Sequence, residues 1–285
     1  METKERIREI LCIIFSFLLS VMLFATTFAI TAKLTLLYKD YFANAVEKSG
    51  YIDLLREELI NELANQGYIS GFDEAFFEQI ISADMVRIPV LSAVDKIYGT
   101  GDYKEVPKDK LAEILKNAFV DNLESREVEV DDEQKKHLED FAEECAEFFA
   151  ANARLPFISV SESIVKTAIP LVKCLLAFLG TLILFCLVLI AFTSPKSEGA
   201  IRYYSYSFGG AALMTATPVI AVMATGIFKK ISIADKALYY LVQTVATDFL
   251  NIVLITATVF GLIWIVTALL VILKKNKQPR KAVTK

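Results

Sequence analysis

The sequence predicts an all-α fold: a four-helix transmembrane protein with an α-helical extracytoplasmic domain inserted between membrane helices 1 and 2. Three observations predict it. Four uncharged runs, residues 10–32, 174–193, 203–228 and 249–273, hold 23, 20, 26 and 25 residues. Each reaches the roughly 18 to 20 residues needed to cross about 30 Å of hydrocarbon at 1.5 Å per residue. Between the first two runs, residues 33–165 hold 14 basic and 28 acidic side chains, net −14, while the remainder holds 16 and 6, net +10. The overall −4 therefore conceals two oppositely charged parts. Within the acidic stretch the apolar residues repeat with helical spacing.

The expected organisation follows from these runs. Residues 1–32 form a cytoplasmic N-terminus and membrane helix 1, 33–165 the acidic helical domain, and 166–193 membrane helix 2. Residues 194–228 form a cytoplasmic turn and membrane helix 3, 229–273 an outer amphipathic segment and membrane helix 4, and 274–285 a basic cytoplasmic tail.

Lys4, Arg6 and Arg8 stand directly before the first apolar run, a bias that holds an N-terminus in the cytoplasm. The same start fits a secretory signal peptide. Its apolar run is about twice a typical h-region, and Thr27 and Ala29 lie inside it rather than after it, which favours an uncleaved anchor. Ser16/Ser20 and Ala25/Ala29 place small residues four apart, so another helix of the chain can approach closely.

Past Lys33, Leu34, Leu37, Tyr38, Tyr41, Phe42, Ala45 and Val46 continue a helical stripe up to the stop Ser49-Gly50. Ile52, Leu55, Leu59 and Leu63 share one face of a second helix that Gly67 ends. An aromatic stretch, 72–81, precedes a helix over 82–98 that Ile88-Pro89 should kink or break. Pro107 opens the clearest helix of the domain, with Leu111, Ile114, Leu115, Ala118, Phe119 and Leu123 at i, i+3, i+4 spacing. Asp131 and Gln134 fit a capping pair for a helix over 132–152. Ser159 or Ser161 should cap the next, which runs through Pro170 into the second membrane segment.

Lys196, Arg202 and Glu198 give the loop after that segment a basic bias, and Tyr203, Tyr204 and Tyr206 suggest an interfacial aromatic belt. The third segment is dense in small residues around Pro218 and is expected to be the most enclosed helix. Ser232 with Asp235 opens a helix expected to run to Leu273, its outer part striped by Ile233, Ala237, Leu241 and Val245. That stripe should pack on the acidic domain. Lys274, Lys275, Lys277, Arg280, Lys281 and Lys285 follow, placing the C-terminus in the cytoplasm near anionic lipid. Trp264 lies too deep for a belt and should pack.

No catalytic, cofactor-binding or metal residues stand out, and no cofactor is expected. His137 is the only histidine and sits among Lys135, Lys136, Glu139 and Asp140 on an exposed face. Without HExxH, a Ser/His pair or GxxxxGK[ST], metallohydrolase, serine-hydrolase and P-loop chemistry lack their parts, so the chain is read as a non-enzyme. The acidic connector 127–133 lacks the glycine and terminal glutamate of an EF-hand loop. Cys145 falls on the apolar face with Leu138, Phe141, Ala142, Phe148 and Phe149, as a small core residue.

The stretch Ser49-Gly50-Tyr51-Ile52-x-Leu54-Leu55-x-x-Glu58-Leu59, together with the layout, resembles a group of uncharacterised bacterial four-helix membrane proteins. The resemblance implies no activity. The function expected is a binding or assembly module presenting an acidic helical domain outside the cell membrane, with the lipid bilayer and a protein or cation as partners. Net −14 disfavours nucleic acid. The alternative is a small-solute transporter or channel subunit, although the four runs carry no ionisable side chain other than cysteine and tyrosine.

Overall fold

The computed structural model describes residues 2–128, 131–156, 158–194, 199–227, 233 and 235–277, with side chains from Lys4 to Lys274. Every regular element among the described residues is helical. Helix α1 spans Glu2–Leu34, α2 Lys39–Lys48, α3 Tyr51–Gly67, α4 Glu74–Ile80, α5 Ala83–Ile97, α6 Lys108–Ser125, α7 Asp132–Asn152, α8 Ile158–Thr193, α9 Ala200–Thr225 and α10 Lys236–Lys277. Four of them, α1, α8, α9 and α10, are long and apolar enough to cross a membrane. The chain forms two compact units, one of Met1–Leu36, Ala168–Ile231 and Val245–Lys285, the other of Leu37–Thr167 and Ser232–Thr244. The loop residues 195–198, Ser232 and the basic tail beyond Lys277 lie outside the described residues.

In the first unit the side chains of one helix bond the backbone of another, and this fixes the helix directions. The Ser16 hydroxyl donates to the Tyr203 carbonyl at 2.8 Å, and Ser20, one turn on, donates to the Ser207 carbonyl, also one turn on, at 2.9 Å. Helices α1 and α9 are therefore parallel. A Cβ on Gly209 would stand 2.9 Å from the Trp264 indole, and one on Gly199 would stand 3.0 Å from Lys274 Nζ. As α9 numbers fall, α10 numbers rise, so these two are antiparallel. Cys12, Leu19, Cys186, Ile190 and Tyr203 form a buried cluster that brings the end of α8 to the start of α1 and α9.

One expectation for this unit is corrected. Tyr203 is 2% exposed and the Tyr204 hydroxyl donates to the Leu187 carbonyl at 2.8 Å, so of the three tyrosines only Tyr206 faces outward. Tyrosines spaced at an apparent interface were taken up by packing because α8 folds back on them. Helix α9 buries Tyr203, Ser205, Ser207, Gly209, Ala211, Thr215 and Val219, the largest share of described residues in any of the four spanning helices, as its small residues led one to expect. The small residues of α9 open one face to α1 and α10, while Leu213, Ile220 and Met223 remain exposed on another.

The second unit is held by helix packing, since Cys145, its one cysteine, is free. Its centre is a group of phenylalanine rings. Phe72, Phe76, Phe77 and Phe141 all lie within 6.1 Å of Phe119, ring centre to ring centre. Asp131 accepts from the Gln134 N–H at 2.7 Å and the Gln134 side chain accepts from the Asp131 N–H at 3.1 Å, the expected capping box of α7. The buried face of α7 then carries Ala142, Cys145, Ala146 and Phe149, the i, i+3, i+4, i+7 spacing of an amphipathic helix.

The stripe from Leu34 to Val46 is not one helix. Residues 35–37 turn and Tyr38 is extended before α2 begins. Apolar period persists on both sides, but Thr35 folds its hydroxyl onto the Thr31 carbonyl at 2.7 Å, and Asp40 favours a new helix start. Conversely, α5 runs unbroken through Pro89. Val86, Pro89, Val90, Ala93, Val94 and Ile97 are all buried, so apolar contact on both sides of the proline offsets its missing N–H. Helix α3 ends at Gly67 as expected, but at φ −81° that glycine is not left-handed, and Gly71, at φ 78°, ends the short turn of residues 68–70 that follows. What favours glycine at 67 is space, because a Cβ there would meet the Phe72 backbone oxygen at 3.1 Å. Helix α8 starts at Ile158, ahead of both Ser159 and Ser161, and α10 starts at Lys236, with Asp235 accepting from the Leu238 N–H at 2.7 Å.

Candidate functional site

The second unit contains a cleft of about 870 Å³ whose polar lining includes Glu58, Glu62, Lys96, Tyr103, Glu105, Asn152, Arg154 and Asp235. Its apolar wall includes Tyr51, Leu55, Leu59, Phe148 and Leu155. A cavity of this size, part apolar and part polar, is within the range that ligands occupy.

Each lining residue is placed by local structure. Helix α3 starts at the left-handed Gly50 (φ 71°) and buries Tyr51, Ile52, Leu55 and Leu59, which leaves Glu58 and Glu62 at the rim. The loop after α5 brings Tyr103 and Glu105. It is tied by Ser92, whose hydroxyl accepts from the Lys104 N–H at 2.9 Å and donates to the Pro89 carbonyl at 2.9 Å. Thr100 N–H donates to the Asp95 carbonyl at 2.9 Å and closes the same loop. Arg154 follows the end of α7, beside the buried Leu155.

The floor is the N-terminus of α10. The Glu58 carboxylate accepts from the Lys236 N–H at 3.2 Å and Asp235 accepts from Leu238. Two carboxylates thus share one helix start, where free N–H groups and the helix dipole favour negative charge. The arrangement has a cost. Burial first, and then the neighbouring Asp235 charge, pushes the Glu58 carboxyl above its ordinary value, against the Lys236 and Ala237 N–H groups that pull it down. Burial, with Asp235 and Glu58 nearby, pushes the Tyr51 hydroxyl well up, so it stays protonated. Arg154 draws the Tyr103 hydroxyl down and Glu105 raises it, but burial dominates and the net shift is upward.

A pH dependence follows. A carboxyl whose folded pKa lies above its unfolded one stabilises the fold fully below its ordinary value of 4.5, and that contribution is lost as pH rises through the raised value. Glu58→Gln keeps an acceptor for the helix start and removes the charge. Denaturation at pH 4 and pH 7 is expected to show the variant gaining on the wild type as pH rises. Parallel pH profiles for the two chains would rule out the coupling. Glu58→Ala, which removes the cap as well, should cost about 1 kcal/mol.

The residues singled out in the sequence are elsewhere. His137 is exposed on α7. Cys145 is fully buried, and burial followed by Glu144 pushes its thiol up to about 12, so it is protonated at neutral pH. Alkylation of Cys145 in the native protein should be far slower than in the denatured chain. Among the described residues, no three or more His, Cys, Asp or Glu side chains converge as a metal site. Sequence reasoning missed the cleft because Glu58 and Asp235 meet across the length of the chain. One signal was present: Tyr51, Leu55, Glu58 and Leu59 of the stretch at 49–59 all line it. No family model, no curated protein and no solved structure matches the chain.

Proposed function

We propose that the chain is a multi-pass protein of the cell membrane that presents residues 33–165 and the start of α10 outside as a binding or assembly module, with both termini cytoplasmic. The helix directions of the first unit support the sidedness. They gather the start of α1, the end of α8, the start of α9 and the end of α10 at one end, and that end carries Arg6, Arg8, Arg202 and Lys274. Cysteine introduced at the exposed Asp102 should react with an impermeant probe on intact cells. Reaction only after the membrane is opened would reverse the assignment.

The cleft carries the binding reading. Its carboxylates Glu58, Glu62, Glu105 and Asp235 outnumber Lys96 and Arg154, so it favours a cationic group, and the lack of a converging donor set among the described residues points away from a bare metal ion. A basic segment of a partner protein fits both the charge and the apolar wall. Full-length protein captured in mild detergent should retain a partner that the Glu62→Gln/Glu105→Gln variant loses. Equal retention would remove the cleft from the interface. Absence of a partner, with ion flux in reconstituted vesicles, would favour a channel.

A further inference from the structure

We infer that α10 couples the cleft to the first unit: a cationic group held in the cleft changes how Trp264 of α10 is seated on Gly209 of α9. The inference rests on the binding reading of the cleft and adds what binding does. Helix α10 belongs to both units, its residues up to Thr244 to the second and those from Val245 on to the first. Its start is part of the cleft itself. Asp235, in the lining, accepts from the Leu238 N–H at 2.7 Å, and Glu58 of α3, also in the lining, accepts from the Lys236 N–H at 3.2 Å. The negative charge that attracts a cation is therefore bonded to the first turn of α10. Burial and the Asp235 charge oppose ionisation of Glu58 and outweigh the nearby Lys236. A further cation beside the pair favours the carboxylate form and strengthens its bond to the helix start. That differential interaction is what a ligand needs in order to shift a structure.

The rest of α10 is built to carry the change. From Lys236 to Trp264 the helix is unbroken, holds no proline and has Gly261 as its one glycine, so it lacks the usual causes of a sharp kink. At 1.5 Å per residue this is a rod of about 42 Å. Helix α8 also begins in the cleft, with Ile158 and Ser159 in the lining, but it contains Pro170, where helices bend. The stiffer path is α10. At its far end the seat is tight, because a Cβ on Gly209 would stand 2.9 Å from both Cδ1 and Nε1 of the indole. A shift of α10 by about 1 Å, the size of helix movements in protein switches, has to move that ring. Trp264 is half-exposed and is the only tryptophan, so its emission reports the seat.

The test fixes a cation in the cleft covalently. Glu62 is exposed and stands one helical turn from Glu58 on the same face of α3. Full-length Glu62→Cys/Cys174→Ser, reconstituted in lipid vesicles, is treated with trimethylammonium-ethyl methanethiosulfonate or with the neutral methyl reagent. The remaining cysteines, Cys12, Cys145 and Cys186, are buried. The cationic adduct is expected to shift the Trp264 emission maximum by several nanometres relative to the neutral adduct. A direct field effect on the indole is excluded by the length of α10, which is several times the Debye length of about 8 Å. Ala246→Gly/Thr247→Gly in the same background leaves both ends intact and softens the rod between them, and should remove most of the shift. Equal emission from the two adducts would overturn the coupling and leave the cleft free to bind a partner, which capture of the full-length protein tests separately. A shift undiminished by the two glycines would also overturn it, since α10 would not be the carrier. Should the glycine variant fail to run as a monodisperse species, Thr247→Gly alone must still lower the shift.

Discussion

Phe119→Ala is expected to destabilise the second unit by about 3–5 kcal/mol, the range for removing a large aromatic side chain from a closed core. Phe119 has no exposed surface. Its ring centre lies 4.3 Å from that of Phe72, 5.2 Å from Phe141 and 5.4 Å from Phe76. Those three rings belong to α7, α4 and the loop before α4, so the truncation opens a cavity on three segments at once. None of them can collapse into it without releasing another contact. No disulfide limits the unfolded state here, so the full loss reaches the folding equilibrium. Cys145 supplies the readout, because it is the unit's one cysteine and is buried in the wild type. Its alkylation as a function of urea should reach midpoint at a much lower concentration in the variant. A shift equivalent to less than 1 kcal/mol would mean that the rings are loosely packed.

What could be read in the sequence was what is encoded within one or two helical turns. The four uncharged runs, the Asp131/Gln134 cap and the apolar face around Cys145 each depend on residues close in the chain. The break at 35–38 and the continuity of α5 through Pro89 do not. A local side-chain bond at the first and tertiary burial at the second decide between conformations whose intrinsic preferences differ by only a few kcal/mol. Gly67 illustrates the same limit. Its glycine was visible, but the reason for it, the Phe72 backbone oxygen 3.1 Å from any Cβ, is a contact that no local pattern reports. The cleft was hidden for this reason too. Glu58 reads as a polar face of α3 until α10 brings its N–H groups to it.

The hydroxyl seam between α1 and α9 should be the most sensitive part of the first unit, and Gly210→Leu is expected to destabilise it by about 1–3 kcal/mol through overpacking. Even a Cβ at 210 would stand 2.6 Å from Ser20 Oγ and 3.2 Å from Ser20 Cβ. The serine cannot step aside freely, because its hydroxyl donates to the Ser207 carbonyl at 2.9 Å and lies 3.1 Å from the Ser16 carbonyl. Ser16 is in turn bound to the Tyr203 carbonyl, and its Oγ is 3.0 Å from that of Ser207. Pushing Ser20 out therefore strains a chain of buried bonds in a region where lost hydrogen bonds are not replaced by water. A pair of variants separates bulk from bonding. Ser20→Ala removes the hydroxyl but not the space, and should cost less, about 1 kcal/mol. Ser20→Ala with Gly210→Ala should recover part of the Gly210→Ala loss, since the nearest obstructing atom is gone. Thermal melts in detergent, followed by circular dichroism, give the order expected: wild type, Ser20→Ala, then Gly210→Leu. Gly210→Leu melting with the wild type would mean that α1 and α9 are held apart by more than the seam's hydroxyls.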